Sequence, residues 1–89
     1  METLLKTIER RTVHEAVAEA LRKAIYLGEL PGGTRLNQDE IAAKFGVSRI
    51  PVREALRQLE AEGLIQIIPH RGAVVSSLSP EELRELYEI

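Results

Sequence analysis

The sequence predicts a mainly helical α+β fold: a winged helix-turn-helix with three helices and a β-hairpin wing, followed by the start of a further helix. Two helical segments are separated by only three residues, 46–48, and this spacing is typical of a helix-turn-helix. After them, two runs rich in β-branched residues flank the loop 69–72, which is the pattern of a β-hairpin. The order of helices and hairpin therefore predicts the fold class.

The composition is that of one small globular domain. The chain has 89 residues, of which 44% are hydrophobic and 29% charged, the balance of a soluble domain. Because it has no cysteine, neither a disulfide framework nor a thiolate metal site is possible. No apolar run approaches the roughly 20 residues that span a bilayer, and the N-terminus lacks a signal-peptide pattern. We expect a cytoplasmic protein with no membrane partner.

The charges are unevenly distributed along the chain. The net charge is −2, which by itself argues against a nucleic-acid partner. Residues 44–57 nevertheless carry four basic side chains against one glutamate, a local charge of +3, whereas residues 79–89 carry a local charge of −3. Since the distribution of charge matters more than its total in nucleic-acid-binding proteins, the middle of the chain is the candidate surface.

The first helix is predicted to begin after Thr12, which forms a capping box with Glu15, and to stop at Gly28. Its apolar positions recur at helical spacing and predict one buried face. They are Val13, Val17, Ala20, Leu21, Ala24 and Ile25.

The second helix is predicted to begin after Asn37, with Glu40 as its capping partner. Its buried face is expected to consist of Ile41, Ala42 and Phe45.

The third helix is predicted to begin after Ser48 and to end at Gly63. Pro51 at its third position has no N–H, so the Ser48 hydroxyl is expected to accept the N–H of Ile50 instead. The inward face is predicted to be Val52, Ala55, Leu56 and Leu59.

The rest of the chain divides into the wing and two flanking segments. The hairpin strands are predicted at 64–68 and 73–76. Because two strands alone are marginally stable, we expect them to lean on the helices, with a short third strand near Arg35 and Leu36. Ser79 and Pro80 are predicted to open another helix. The predicted domains are an extension at 1–11, the winged helix-turn-helix at 12–77, and a linker with the start of a further helix at 78–89.

Three arginines form a stripe on the third helix. Arg49, Arg53 and Arg57 recur every four residues, on the side opposite the predicted core. Arginine suits base reading because its planar fork can donate two hydrogen bonds to guanine. Residues near the start of such a helix reach the bases, so Arg49 and Arg53 are the candidate base contacts, Arg53 sharing its contacts with phosphate, and Arg57 is a candidate phosphate contact or a neighbour of Glu54. On an arbitrary helix such a stripe would more often be a solvated face, but here the helix follows a three-residue turn and precedes a basic hairpin, which favours DNA contact.

Other candidate DNA contacts surround the stripe. Ser48, Ile50 and Pro51 complete the first turn of the reading helix. An arginine at a glycine-containing hairpin tip can enter a minor groove or pair with phosphate, which makes His70, Arg71 and Gly72 candidates, although an ordinary polar turn would look the same. The N–H groups at Asn37 and Gln38 could bind a phosphate, although capping by Asn37 explains the pattern equally well.

Nothing in the sequence supports catalysis. Ser48 and Ser79 are explained as caps, no serine lies in a histidine-carboxylate pattern, and there is no glycine-rich phosphate loop. His14 and His70 are far apart, so no metal site is expected either. We predict that the chain is not an enzyme and holds no cofactor.

The segment 46–65, GVSRIPVREALRQLEAEGLI, resembles the recognition helix of the GntR-family regulators. The segments 28–37 (GELPGGTRLN) and 69–75 (PHRGAVV) are similar to its FadR-type branch. The resemblance implies a metabolite-responsive dimeric repressor or activator from bacteria, whose N-terminal winged helix binds a palindromic operator. It also implies a separate helical domain that binds a small acid metabolite, often with a metal. Residues 79–89 look like the start of that domain, so its effector site would lie outside this sequence.

Two positions depart from the pattern of this family. Arg49 and Arg53 match its groove-contacting arginines, and Gly72 with its neighbours matches the wing tip that enters the minor groove. Ile50, however, stands where a threonine is usual and offers an apolar contact, such as to a thymine methyl. Asp39 stands where some branches carry an arginine, so the resemblance implies no phosphate contact there.

The leading hypothesis is sequence-specific binding of double-stranded DNA by the reading helix and the wing. The alternative from another class is a winged helix that serves as a protein-interaction module, which the negative net charge supports. Salt-sensitive binding to duplex DNA would separate the two.

Overall fold

The computed structural model describes residues 12–77. Its elements are α1 (Val13–Tyr26), β1 (Arg35–Leu36), α2 (Gln38–Phe45), α3 (Arg49–Ala61), β2 (Ile65–Ile68) and β3 (Gly72–Val75). Three helices and a small antiparallel wing confirm the predicted winged helix-turn-helix. The extension predicted at 1–11 and the helix predicted after Ser79 lie outside the described residues.

The three strands form one antiparallel sheet in the order β1-β3-β2. Arg35 of β1 lies opposite Val74, and Ile67 of β2 lies opposite Ala73. The predicted third strand at Arg35 and Leu36 is therefore confirmed. It places β3 in the centre, so β3 is paired along both of its edges and the hairpin gains a third strand.

The core lies where α1, α2 and the sheet pack around α3. Its buried residues are Val17, Ala18, Leu21, Leu36, Ile41, Ala42, Val52, Ala55, Leu56, Leu59, Leu64, Ile65, Ala73 and Val75. The predicted inward face of α3 is confirmed, since all four of its residues are buried. This leaves the opposite face of α3, with its arginines, exposed to solvent.

The buried face of α1 differs from the prediction. Val13 and Ala20 are exposed, and Ala18 is buried instead. At about 100° per residue, Ala18 and Leu21 lie on the same side of Val17, whereas Ala20 lies on the other side. Val13 lies a whole turn before Val17, the first buried residue of α1, and so lies beyond the end of the core.

Phe45 was also expected in the core, and this expectation is wrong. Its side chain is 41% exposed. α2 has only eight residues, and its contact with the core is made by Ile41 and Ala42. At Gly46 the backbone is left-handed, with φ of 67°, a conformation that glycine adopts without strain. The chain therefore turns sharply after Phe45, and Val47 packs against the core in its place.

Candidate nucleic-acid interface

One groove of about 700 Å³ lies where four elements converge. These are β1, the start of α2, the first turns of α3 and the tip of the hairpin. The groove is lined by Arg35, Leu36, Asn37, Gln38, Asp39, Glu40, Arg49, Arg53, His70, Arg71 and Gly72. Four arginines against two carboxylates give this lining a net charge of +2 with the histidine neutral, although the whole chain is acidic.

Arg49 is the first residue of α3, and its side chain points into the groove from an exposed position. Its Nε lies 2.8 Å from Oδ1 of Asp39 on α2. This ion pair links α2 to α3, the two helices of the helix-turn-helix. The side-chain Nε2 of Gln38 lies 3.5 Å from the main-chain oxygen of Arg49, a long hydrogen bond in the same corner.

Arg53 follows one turn later and lines the same groove. Arg57 lies a further turn along and lines a neighbouring depression of about 280 Å³, together with Arg53 and Ile67. The structure thus brings together Arg49 and Arg53, the two predicted base contacts, and places Arg57 farther out. Ile50, at 67% exposure, is an apolar side chain displayed to solvent beside them.

Ser48 occupies the predicted N-cap position, but its expected hydrogen bond is absent. Its backbone is extended, with φ of −76° and ψ of 172°, and its side chain makes no cap hydrogen bond. The N–H that an N-cap side chain most often accepts is that of the third helical residue, which here is Pro51 and has none. The expectation that the hydroxyl would turn to the N–H of Ile50 is wrong.

The other two helix starts are capped by the predicted side chains, although within residues 12–77 neither Glu15 nor Glu40 completes its capping box with a side-chain hydrogen bond. Asn37 Oδ1 accepts the N–H of Glu40 at 3.0 Å, and Thr12 Oγ1 accepts the N–H of Glu15 at 3.3 Å. The first of these caps lies in the groove and leaves the N–H of Gln38 directed toward the N-terminal end of α2.

The wing tip is a four-residue turn closed by a hydrogen bond from the N–H of Arg71 to the oxygen of Ile68, at 3.0 Å. Its central residues are Pro69 and His70. His70 has a φ of 65°, as the second central residue of a type II turn must. The turn exposes both His70 and Arg71 at the mouth of the groove.

Arg35 is a groove residue that the sequence reasoning missed. Its Nη2 donates to the main-chain oxygen of Arg71 at 2.8 Å, so it braces the wing tip from β1. The signal was present in part, because burial of Leu36 on a two-residue strand places Arg35 on the outer face. The sequence analysis named Asp39 only as a departure from the family pattern and did not predict its ion pair with Arg49.

Within residues 12–77, no group of three or more potential metal ligands occurs, and no helix is long and apolar enough to cross a membrane. The groove is broad and polar, and four guanidinium groups line it: two from α3 (Arg49 and Arg53), one from β1 (Arg35) and one from the wing tip (Arg71).

Comparison with known proteins points to one family. The model of the family described as bacterial regulatory proteins, gntR family, matches residues 13–75. The gluconate operon transcriptional repressor of Bacillus subtilis is 39% identical over 84 residues, covering 94% of this chain and 34% of that protein. The probable D-xylose utilization operon transcriptional repressor of Paenarthrobacter nicotinovorans is 38% identical over 89 residues, covering 100% of this chain and 39% of that protein.

A solved structure agrees with these relatives. It is the crystal structure of a transcriptional regulator, a GntR family member, from Pseudomonas syringae pv. tomato. It is 51% identical, with a TM-score of 0.70, and the match covers 85% of this chain and 32% of that one. The chain thus spans 32% to 39% of the length of these relatives.

Proposed function

The chain belongs to the gntR family of bacterial regulatory proteins, and from this premise we propose that the groove between α2, α3 and the wing is the surface that reads operator DNA. The relatives are transcriptional regulators, so this chain is a DNA-binding domain of such a regulator and not an enzyme. The observation that carries the proposal is the convergence of Arg49, Arg53, Arg71 and the wing tip on one groove in an otherwise acidic chain.

In this proposal α3 enters the major groove and its first turn reads the bases. Arg49 donates to guanine O6 and N7, and Arg53 divides its contacts between a base and a phosphate. Ile50 and Pro51 form the apolar part of the reading surface, with Ile50 against a thymine methyl. The Ser48 hydroxyl, which caps no helix N–H, is available for a phosphate oxygen.

The flanking contacts position the domain on the duplex. His70, Arg71 and Gly72 approach the minor groove or its phosphates from the wing. Arg57 contacts a phosphate beyond the reading helix's first two turns. Asn37 and Gln38 offer hydrogen-bond donors at the start of α2 to a further phosphate.

The remaining proposals concern the whole regulator. We infer that it acts as a homodimer on a palindromic operator, in the cytoplasm, and that it belongs to the FadR-type branch. In that case residues 78–89 lead into a separate helical domain, which binds a small acid metabolite, as such domains of the family often do together with a metal. These proposals about the whole regulator are supported by the family membership and by the small share of the relatives' length that this chain spans. The chain itself is proposed to hold no cofactor.

In vitro selection of duplex DNA by this chain tests the function. We expect an enriched site that is bound at least about 1,000-fold more tightly than random duplex, and a log K that falls linearly with log salt by about 0.9 per phosphate contacted. Arg49→Ala should weaken the selected site by about 1–3 kcal/mol and relax the preference at one base pair.

Lys23→Ala is the charge-matched control, because Lys23 is exposed on α1 and lies outside the groove lining. It should change affinity slightly and leave every base preference intact. If no site is enriched and random duplex shows no salt-sensitive binding, the DNA-reading proposal fails and the protein-interaction alternative gains support.

A further inference from the structure

Asp39 is one of two carboxylates that line the groove proposed to receive a polyanion. It stands in the first turn of α2, and its side chain is 65% exposed. A negative charge there repels DNA phosphates, so it lowers affinity for duplex of any sequence. Its one ionic partner among residues 12–77 is Arg49, at 2.8 Å. The contact must therefore be judged by what it does to Arg49.

The contact uses one particular atom of Arg49. Nε, which lies 2.8 Å from Asp39 Oδ1, is on the flank of the guanidinium plane, whereas the bidentate pairing with guanine can be made end-on by Nη1 and Nη2. A guanidinium held at Nε retains both of these groups and loses much of its rotational freedom. Holding a recognition group in its bound orientation lowers the entropy that binding must overcome.

We propose that Asp39 is a specificity-determining residue: it orients Arg49 for end-on pairing with guanine, at the expense of affinity for DNA in general. This inference rests on the proposed function of the groove. Asp39 Oδ2 is not part of the 2.8 Å contact, and a carboxylate oxygen in a major groove accepts from a cytosine amino group. The base pair next to the guanine is thus expected to show a weaker preference that also depends on Asp39.

The pair contributes little to folding. Its side chains are 69% and 65% exposed, and ion pairs at such exposure stabilise proteins marginally. Arg53 provides the contrast, because within the described part of the chain it has no ion pair or hydrogen bond from its side chain. Of the two proposed base readers, only Arg49 has an ion-pair partner among the described residues.

Three variants separate orientation from charge. Asp39→Ala removes both the acceptor and the charge, whereas Asp39→Asn removes the charge and keeps an oxygen that can accept from Nε. Glu40→Gln is the matched control, since Glu40 lies in the same turn of α2 and lines the same groove. Each is titrated against the selected site, its single-base-pair variants and random duplex, and thermal melting verifies that it is folded.

We expect Asp39→Ala to bind random duplex more tightly than the parent and to discriminate less strongly between bases. At the base pair that Arg49→Ala identifies, the parent's preference for guanine should fall about two- to fivefold, because an exposed ion pair contributes no more than about 1 kcal/mol. Asp39→Asn should gain similar affinity for random duplex, and its preference should fall by less than about 1.5-fold. Glu40→Gln should show the gain in affinity alone.

The outcomes distinguish this inference from the function on which it rests. If the parent selects no site, the proposed function fails, and this inference fails with it. If the parent selects a site and Arg49→Ala relaxes one position, but Asp39→Ala keeps the preference there, only the inference about Asp39 is wrong. It is equally wrong if Glu40→Gln loses as much preference as Asp39→Ala, because the effect would then be one of charge.

Discussion

The side chain of Arg35 donates a hydrogen bond from Nη2 to the main-chain oxygen of Arg71, at 2.8 Å, and so ties β1 to the tip of the wing. The two residues are 36 positions apart in the sequence. The tip is otherwise held by the hydrogen bond from the N–H of Arg71 to Ile68. Arg35 therefore acts as a brace between β1 and the wing tip.

Removal of this brace should loosen the tip and leave the fold intact. In Arg35→Ala we expect the amide of Arg71 to exchange its hydrogen several-fold faster, because local openings become easier. The free energy of unfolding should change by no more than about 0.5 kcal/mol, as for most surface substitutions. Amide exchange followed by NMR measures the first and urea unfolding the second. Unchanged exchange at Arg71 would show that the turn holds its shape without Arg35.

A second hydrogen bond joins the wing to α3. Glu60, near the end of α3, accepts the N–H of Ile67 at 3.0 Å through Oε2. β2 is an edge strand of the sheet, so this N–H would otherwise face solvent. We expect Glu60→Ala to destabilise the domain by about 1 kcal/mol, the usual loss for one hydrogen bond. Glu60→Gln, which keeps an acceptor oxygen, should lose less than half of that in the same urea titration.

If Ala and Gln at position 60 were equally destabilising, the charge of Glu60 and not its bond to β2 would be responsible. A change of amide exchange confined to Ile67 and its strand would support the bond.

The backbone of His70 provides a third prediction. Its φ of 65° lies in the left-handed region, which costs an ordinary residue roughly 1–2 kcal/mol and a glycine almost nothing. His70→Gly should therefore be neutral or slightly stabilising toward urea, and His70→Val should lose about 1–2 kcal/mol. Equal stability of the two variants would mean that the tip adopts another turn in solution.

The two helix starts of the helix-turn-helix should respond differently to the same substitution. Asn37 caps α2 through its side chain at 3.0 Å, whereas the Ser48 side chain makes no cap bond to α3. Asn37→Ala should lower the free energy of unfolding by about 1 kcal/mol, and Ser48→Ala should lower it by less than about 0.5 kcal/mol. Thermal melting of the two variants beside the parent provides the comparison. A loss at Ser48 as large as that at Asn37 would contradict the geometry of α3.

Local sequence signals predicted most of the fold. Capping residues and apolar spacing located all three helices, because these signals arise within a few residues of one another. Phe45 shows where this information ends: its exposure depends on the sharp turn at Gly46 and on Val47 taking its place in the core. The side chain of Ser48 makes no cap hydrogen bond, because Pro51 has no N–H to donate. The absence of that N–H is evident from the sequence, whereas the absence of a substitute bond to the N–H of Ile50 is not.

The arrangement of the site was predicted less completely than its members. The arginines of α3 were identified from their shared face, which follows from helical periodicity alone. The partner of Arg49 depends on the angle between α2 and α3, and the partner of Arg35 depends on the register between β1 and β3. Neither quantity is encoded in local spacing, so the pairs with Asp39 and Arg71 required the structure.

The ion pair between Arg22 and Glu62 predicts how stability depends on pH. Arg22 on α1 donates from Nε and Nη2 to the two carboxylate oxygens of Glu62, each at 2.7 Å. The hydrogen bonds and the charge of Arg22 lower the pKa of Glu62, and a further hydrogen bond from Gln58 also lowers it. Burial raises this pKa, but by less than the hydrogen bonds from Arg22 lower it. The pair joins the end of α3 to the helix packed against it.

Because the pKa of Glu62 is lower in the folded chain than in the unfolded one, the unfolded chain takes up the proton first as the pH falls. The pair therefore contributes fully to the free energy of unfolding above the ordinary glutamate pKa of about 4.3, and this contribution is lost as the pH falls through the lowered pKa of the folded chain.

Both side chains are about one-third exposed, so the contribution of the pair to the free energy of unfolding at neutral pH should be about 0.5–1 kcal/mol. Glu62→Gln should be less stable than the parent by this amount at pH 7, and the difference should disappear below about pH 3. Urea unfolding across this pH range measures it, with Glu29→Gln as the control because Glu29 is exposed and outside the pair. A difference that persists undiminished in acid would assign the loss to packing of the side chain instead of its charge.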